Sequence, residues 1–176
     1  MKNDLSKREN INLYILIMII SGIIGFIYEE IFYFFDLGYL TKRGSTFGPW
    51  IPIYTFGGLL IASLTYKYKN SKLKVFILSL LITGILEYST GFILDKVFST
   101  RLWDYNKEIL NFGNINGYIC LRSVLLFGFA GLFLVYVLIP ILIKLIKRVK
   151  SKILNPICIV LISLFFIDII TYKIIK

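Results

Sequence analysis

Glu29, Glu87, Arg122 and Asp168 are ionisable side chains set inside long apolar runs of this 176-residue chain. A charge at membrane depth is costly unless it is paired or lines a wet cavity, so such residues mark ion pairs, proton relays or polar pockets. A carboxylate can serve as a general base, and a guanidinium can hold a carboxylate or a phosphate. The chain contains no histidine, which excludes imidazole-dependent catalysis, histidine-held zinc, haem and Ser-His-Asp triads. No metal, no cofactor and no catalytic residue is assigned. The residues singled out for binding are Glu29, Arg43, Glu87, Asp104, Asn116 and Arg122.

The elements that position them follow from composition. The chain is 57% hydrophobic and 17% charged, with a mean hydropathy of +0.79, which excludes an ordinary soluble domain and a disordered chain. Its net charge of +10 lies between apolar runs rather than in a patch, which points to an anionic lipid surface and not to nucleic acid.

A spanning helix needs about 20 apolar residues. Five stretches qualify, at 11–35, 49–66, 74–95, 118–143 and 153–172, and predict an all-α, polytopic membrane protein in a single integral domain, 1–176. The first lacks a small-x-small cleavage site and runs on into Glu29 and Glu30, so it reads as an uncleaved span. Twelve Lys and Arg fall on the N-terminal side, among them Lys2, Lys67, Lys74, Lys144 and Lys152, against seven opposite, including Lys42, Arg101 and Lys176. That bias predicts a cytoplasmic N-terminus and an outer C-terminus. Cys120 and Cys158 fall at different depths, too far apart for a disulfide, and read as packing residues.

At 1.5 Å per residue, Glu29 lies ~27 Å up its helix, Glu87 ~18 Å and Asp168 ~22 Å, while Arg122 sits ~6 Å below the outer boundary. All four therefore fall in the outer half. Gly22, Gly25 and Glu29 share one helical face, as do Gly84, Glu87, Tyr88, Gly91 and Asp95. Small-residue stripes are where membrane helices approach closely, so both acids should face the bundle interior, with Glu30 interfacial. Two arrangements are open: a structural ion pair of Glu87 or Glu29 with Arg122, or an outward polar pocket in which one Arg leaves several acids for water, protons or solute.

The outer connections carry the remaining candidates. Arg43-Gly44-Ser45-Thr46-Phe47-Gly48-Pro49-Trp50 leads into the second helix, with Pro49 suited to its first turn and free amides there suited to an anion. The second loop brings Arg101, Trp103, Asp104 and Tyr105, then Asn114-Ile115-Asn116-Gly117 in a turn. Glu29 to Arg43 and Glu87 to Arg101 have the same spacing, an echo that would suit two related hairpins.

Several spaced motifs together resemble the ABC-transporter type IV family of small bacterial membrane proteins. They are Gly25-x-x-x-Glu29, Arg43-Gly44-x-x-x-Gly48-Pro49-x-x-Pro52-Ile53-Tyr54, Glu87-Tyr88, Trp103-Asp104-Tyr105 and Asn114-x-Asn116-Gly117-x-Ile119-Cys120-Leu121, spread over residues 20–135. Lys42, Thr55 and Tyr118 stand where that family usually has Asn, Gly and Arg. The resemblance implies a permease subunit in the bacterial inner membrane. No Gly-x-x-x-x-Gly-Lys-Ser/Thr loop is present, so ATP binding in that manner would need a separate ATPase subunit. The Lys-rich segments 67–74 and 144–152 do not read as coupling helices for one.

The expectation is a permease subunit that binds a small polar or zwitterionic solute from outside, surrounded by lipid and working as a homo- or hetero-oligomer. Two alternatives stand beside it: an outer-leaflet enzyme acting on a lipid or cell-wall precursor headgroup, and a structural subunit of a membrane complex.

Overall fold

A computed structural model describes residues 5–175; Lys2 and Lys176, both part of the charge asymmetry, lie outside the described residues. Helix α1 (Lys7–Leu37) opens at Ser6, whose hydroxyl accepts the Glu9 amide at 3.3 Å while the Glu9 carboxylate accepts the Ser6 amide at 2.8 Å. This reciprocal cap satisfies two amides that a helix start leaves free. Helix α2 (Pro52–Thr65) is followed by a 3-10 turn, Tyr66–Tyr68, and then by α3 (Lys72–Phe98). The next run consists of α4 (Leu121–Phe133), a π turn at Leu134–Leu138 and α5 (Ile139–Arg148). Helix α6 (Ser151–Ile175) completes the chain's described part.

The all-helical expectation holds, and each of the five apolar stretches is helical. Four helical runs are long and apolar enough to cross a membrane: Lys7–Leu37, Lys72–Phe98, Leu121–Arg148 and Ser151–Ile175. The second stretch is shorter than expected, because its helix begins at Pro52 and not at Pro49. With 14 residues it rises only about 21 Å. Residues 49–51 instead lie ahead of the helix, with Ile51 extended and its amide donating to the Gly22 carbonyl at 3.2 Å, which ties the entry of α2 to α1. The π turn has a local cause: Pro140 has no amide to offer the Tyr136 carbonyl, and the turn just before it widens.

The helices alternate in direction. At one end of the bundle Asn12 donates to Asn155 at 2.7 Å and the Tyr136 hydroxyl donates to the Lys69 carbonyl at 2.7 Å. At the other end Asp168 of α6 meets the loop before α2, and the Ile109 amide donates to Asp36 at 2.9 Å. Both long loops therefore share a face with the far end of α6, opposite the Lys-rich turns.

Helix α1 packs on α2, α3 on α4, and α2 on α3, with α6 laid along α1. Inside a bilayer, lipid tails are as apolar as Leu, so close van der Waals fit rather than water exclusion holds such helices together. Gly22 and Gly25 show it: a Cβ at Gly25 would overlap the Tyr54 ring, and one at Gly22 would overlap Thr55 Oγ1. The apolar core fills the Lys-rich half of the bundle, with Leu13, Ile17, Ile61, Val75, Ile139 and Ile146 all buried. Phe35, Ile85 and Ile174 point outward and exposed, as lipid-facing positions require. Cys120 and Cys158 are buried free thiols.

Candidate functional site

Polar side chains converge at the loop face, one turn beyond the glycine stripe of α1. Glu29 Oε2 lies 3.5 Å from Arg43 Nε, and Arg43 stacks on Tyr33 with its guanidinium carbon 3.5 Å from the ring centroid. The neighbouring Glu30 accepts the Arg43 backbone amide at 2.8 Å. Successive acids on α1 thus hold both the side chain and the main chain of one arginine.

Glu87 projects from the middle of α3 and is 5% exposed. Tyr105 donates its hydroxyl to Oε1, and Ser123 lies 2.9 Å from Oε2, so both oxygens are hydrogen-bonded. Among the described residues no Lys or Arg forms an ion pair with it. Burial, and then the adjacent Glu87 carboxylate, push the Tyr105 phenol well above its ordinary range, which keeps it a proton donor.

Arg122, in the first turn of α4, pairs with Glu108 at 2.6 Å and donates to the Tyr28 hydroxyl at 3.2 Å. Its guanidinium carbon lies 3.9 Å from the Phe32 ring centroid. Glu108 also accepts the Tyr33 hydroxyl. The structural ion pair of Arg122 with Glu87 or Glu29, one of the two arrangements left open by the sequence, is therefore not formed, because the second loop folds inward and delivers a closer carboxylate. Glu108, Tyr33 and Ser123 carry no signal in the sequence beyond being polar residues near a helix end, and sequence reasoning missed them.

Around these groups lies a cavity of about 40 Å³, lined among others by Glu29, Tyr54, Glu87, Trp103, Glu108 and Arg122. A cavity of that size holds a few waters or one small polar group. A wider groove of about 410 Å³ adjoins it, with Lys42, Arg43 and Ser45 on one side and Leu86, Thr90 and Leu94 of α3 on the other. Glu29, Ile53 and Trp103 belong to both walls.

Of the six residues singled out, Glu29, Glu87 and Arg122 line the cavity, and Arg43 lines the groove beside it. Asp104 and Asn116 sit further out, around Arg101. Asp104 Oδ2 lies 3.3 Å from Arg101 Nη1, and the Asn116 carbonyl accepts Arg101 Nη2 at 2.5 Å. They brace the loop that carries Tyr105 and Glu108. Gly117 turns there with a φ of 75°, and a Cβ would overlap Asp104, so the turn requires glycine. The equal spacing of Glu29–Arg43 and Glu87–Arg101 does not give equal chemistry, since Arg101 pairs with Asp104 and not with Glu87.

The free amides expected to receive an anion before α2 are occupied. Asp168 of α6 accepts the Phe47 amide at 2.8 Å, the Gly48 amide at 2.7 Å and the Trp50 indole at 2.6 Å. The anion is supplied by the chain itself.

Fold and site together define a multi-pass helical membrane protein with a polar cluster at one end of its bundle. The family model described as "Putative ABC-transporter type IV" matches residues 16–172, and the chain belongs to that family. A membrane protein of transporter type fits both the apolar helices and the family. No curated protein and no solved structure matches it.

Proposed function

We propose that this chain is a permease subunit that binds a small polar or zwitterionic solute in the cavity walled by Glu29, Glu87 and Arg122. Solute enters by the groove beside Arg43, while Asp104 and Asn116 hold the loop that roofs the site. The observation that carries this reading is Glu87, buried at the cavity wall with hydrogen bonds to Tyr105 and Ser123 but, among the described residues, in no ion pair. Glu29 and Glu108, the other two acids of the cavity wall, each carry an arginine of their own.

The Lys-rich face is cytoplasmic in this reading, the loop face is outside, and the membrane is a bacterial inner membrane. A cavity of about 40 Å³ in a bundle this small does not form a pathway alone, so further copies, other subunits or a separate ATPase complete the transporter.

The test is a thermal-shift screen of the purified protein against amino acids, nucleosides, vitamins and lipid headgroups, with Glu87→Gln beside the parent. A solute that raises the parent's melting temperature but not that of a folded Glu87→Gln supports the pocket. If nothing shifts the parent and Glu87→Gln alone unfolds it, the cluster is scaffold, as in the structural-subunit alternative. Turnover of a headgroup substrate in detergent, with no vectorial movement, would favour the enzyme alternative.

A further inference from the structure

A second chamber lies directly below the polar cavity and differs from it in chemistry. It measures about 150 Å³, and Gly57, Ile61, Ala130, Leu134 and Leu138 are among its walls. Its lining is almost wholly apolar. Leu134 and Leu138 are the two ends of the π turn, so the irregular stretch of the fourth span shapes this chamber. Tyr28, Tyr54 and Phe127 line both chambers and form the partition between them, with ring centroids 6.4 Å apart for Tyr28 and Tyr54 and 5.3 Å for Tyr54 and Phe127. Leu126 also lines both chambers. Between α1 and α4 the lower chamber reaches Ile24 and Phe133, 43% and 47% exposed, on the lipid side.

The polar cavity has its own bias. Its walls carry three carboxylates, Glu29, Glu87 and Glu108, against one guanidinium, Arg122. Arg43 neutralises Glu29 from the adjoining groove and Arg122 neutralises Glu108, which leaves Glu87 unmatched. The remaining walls are rich in aromatic rings, including Tyr54, Tyr105 and Trp103. Aromatic faces attract ammonium groups, and both cations already present use them, Arg43 on Tyr33 and Arg122 on Phe32.

We propose that the solute is a primary amine with an apolar body, whose ammonium is held by Glu87 among the aromatic walls and whose apolar portion occupies the chamber beneath Tyr28, Tyr54 and Phe127. The inference rests on the pocket reading above and narrows its solute to one chemical class. Apolar protein cavities of this volume accept a benzene, so the body that fits has about six carbons.

The test is isothermal titration of the full chain in detergent with methyl-, propyl- and hexylammonium, and with hexanoate, hexanol and glycine. Each added methylene from propyl to hexyl should tighten binding about threefold to fourfold. Hexanoate should bind at least tenfold more weakly than hexylammonium, and Glu87→Gln should erase the preference for hexylammonium over hexanol. Ala130→Phe gives a second variant, because Ala130 is exposed at the mouth of the lower chamber and its replacement leaves the core packing intact. It should flatten the dependence on chain length while leaving methylammonium unchanged. If glycine or methylammonium binds and longer chains gain nothing, the amphiphile inference fails and the polar pocket survives. Equal affinity for hexanoate and hexylammonium overturns the assignment of a cation. No binding by any of these probes, with no shift in the solute screen, removes both readings.

Discussion

Arg122 and Glu108 form an ion pair of 2.6 Å across the mouth of the bundle, one residue in the first turn of α4 and the other from the loop that precedes it. The loop is thereby folded down onto the helices, and it carries Tyr105 with it to Glu87. The same pair fixes Tyr33 through Glu108 and Tyr28 through Arg122. One contact thus ties α1, α4 and the second loop together.

Removing one member of a buried pair strands the other charge, at a typical cost of ~3–5 kcal/mol. Glu108→Gln is expected to lower the melting temperature in detergent markedly. The double variant Glu108→Gln, Arg122→Met should recover part of that loss, since it removes both charges. Equal melting of the single variant and the parent would show that the pair is not structural.

Asp168→Asn should loosen the segment before α2. The carboxylate accepts three donors there, and hydrogen bonds to a charged group contribute ~1.5–3 kcal/mol each. Hydrogen exchange at Phe47 and Gly48 should accelerate at least tenfold, while exchange at Ile17 and Ile61 stays unchanged. Unaltered exchange at the two loop amides would argue against the clasp.

Gly25→Ala should destabilise by ~1–3 kcal/mol, the usual cost of overpacking. The new methyl group meets the Tyr54 ring, which is itself wedged against Phe127. Tyr54→Leu in the same chain makes room and should restore part of the melting temperature lost.

The Tyr105 phenol gives a pH dependence. Its value in the folded chain is raised above the ordinary ~10 of an unfolded phenol. The folded state therefore holds this proton more tightly, so its contribution is full below pH ~10 and declines as the pH climbs above that value. Melting curves between pH 8 and pH 11 should show this fall (the range brackets the phenol's ordinary value), and Tyr105→Phe should reduce its slope. A parent whose slope matches that of Tyr105→Phe would place the phenol in water.

Much of the architecture was legible in order along the chain. Runs of apolar residues mark where each helix lies, and the depth of Glu29, Glu87 and Arg122 follows from counting at 1.5 Å per residue. All three do reach one cavity. The glycines at 22 and 25 identify the face of α1 that meets α2, because only a surface without Cβ atoms admits Tyr54 and Thr55 so closely.

Which charge meets which was not legible. Asp168 and Gly48 are 120 residues apart, and Arg122 chooses Glu108 over Glu87 because a loop rich in turns folds inward. The start of α2 was decided in the same way: Pro49 and Pro52 both suit a first turn, and the Ile51 bond to Gly22 together with the Trp50 bond to Asp168 selects Pro52. The sequence by itself determined the helices, their depth and the faces carrying the acids, because periodicity and hydropathy are local properties of the chain. Only the tertiary structure decided the partners, the two chambers and the uncompensated carboxylate, because those depend on how helices rotate against one another and where the loops fold back.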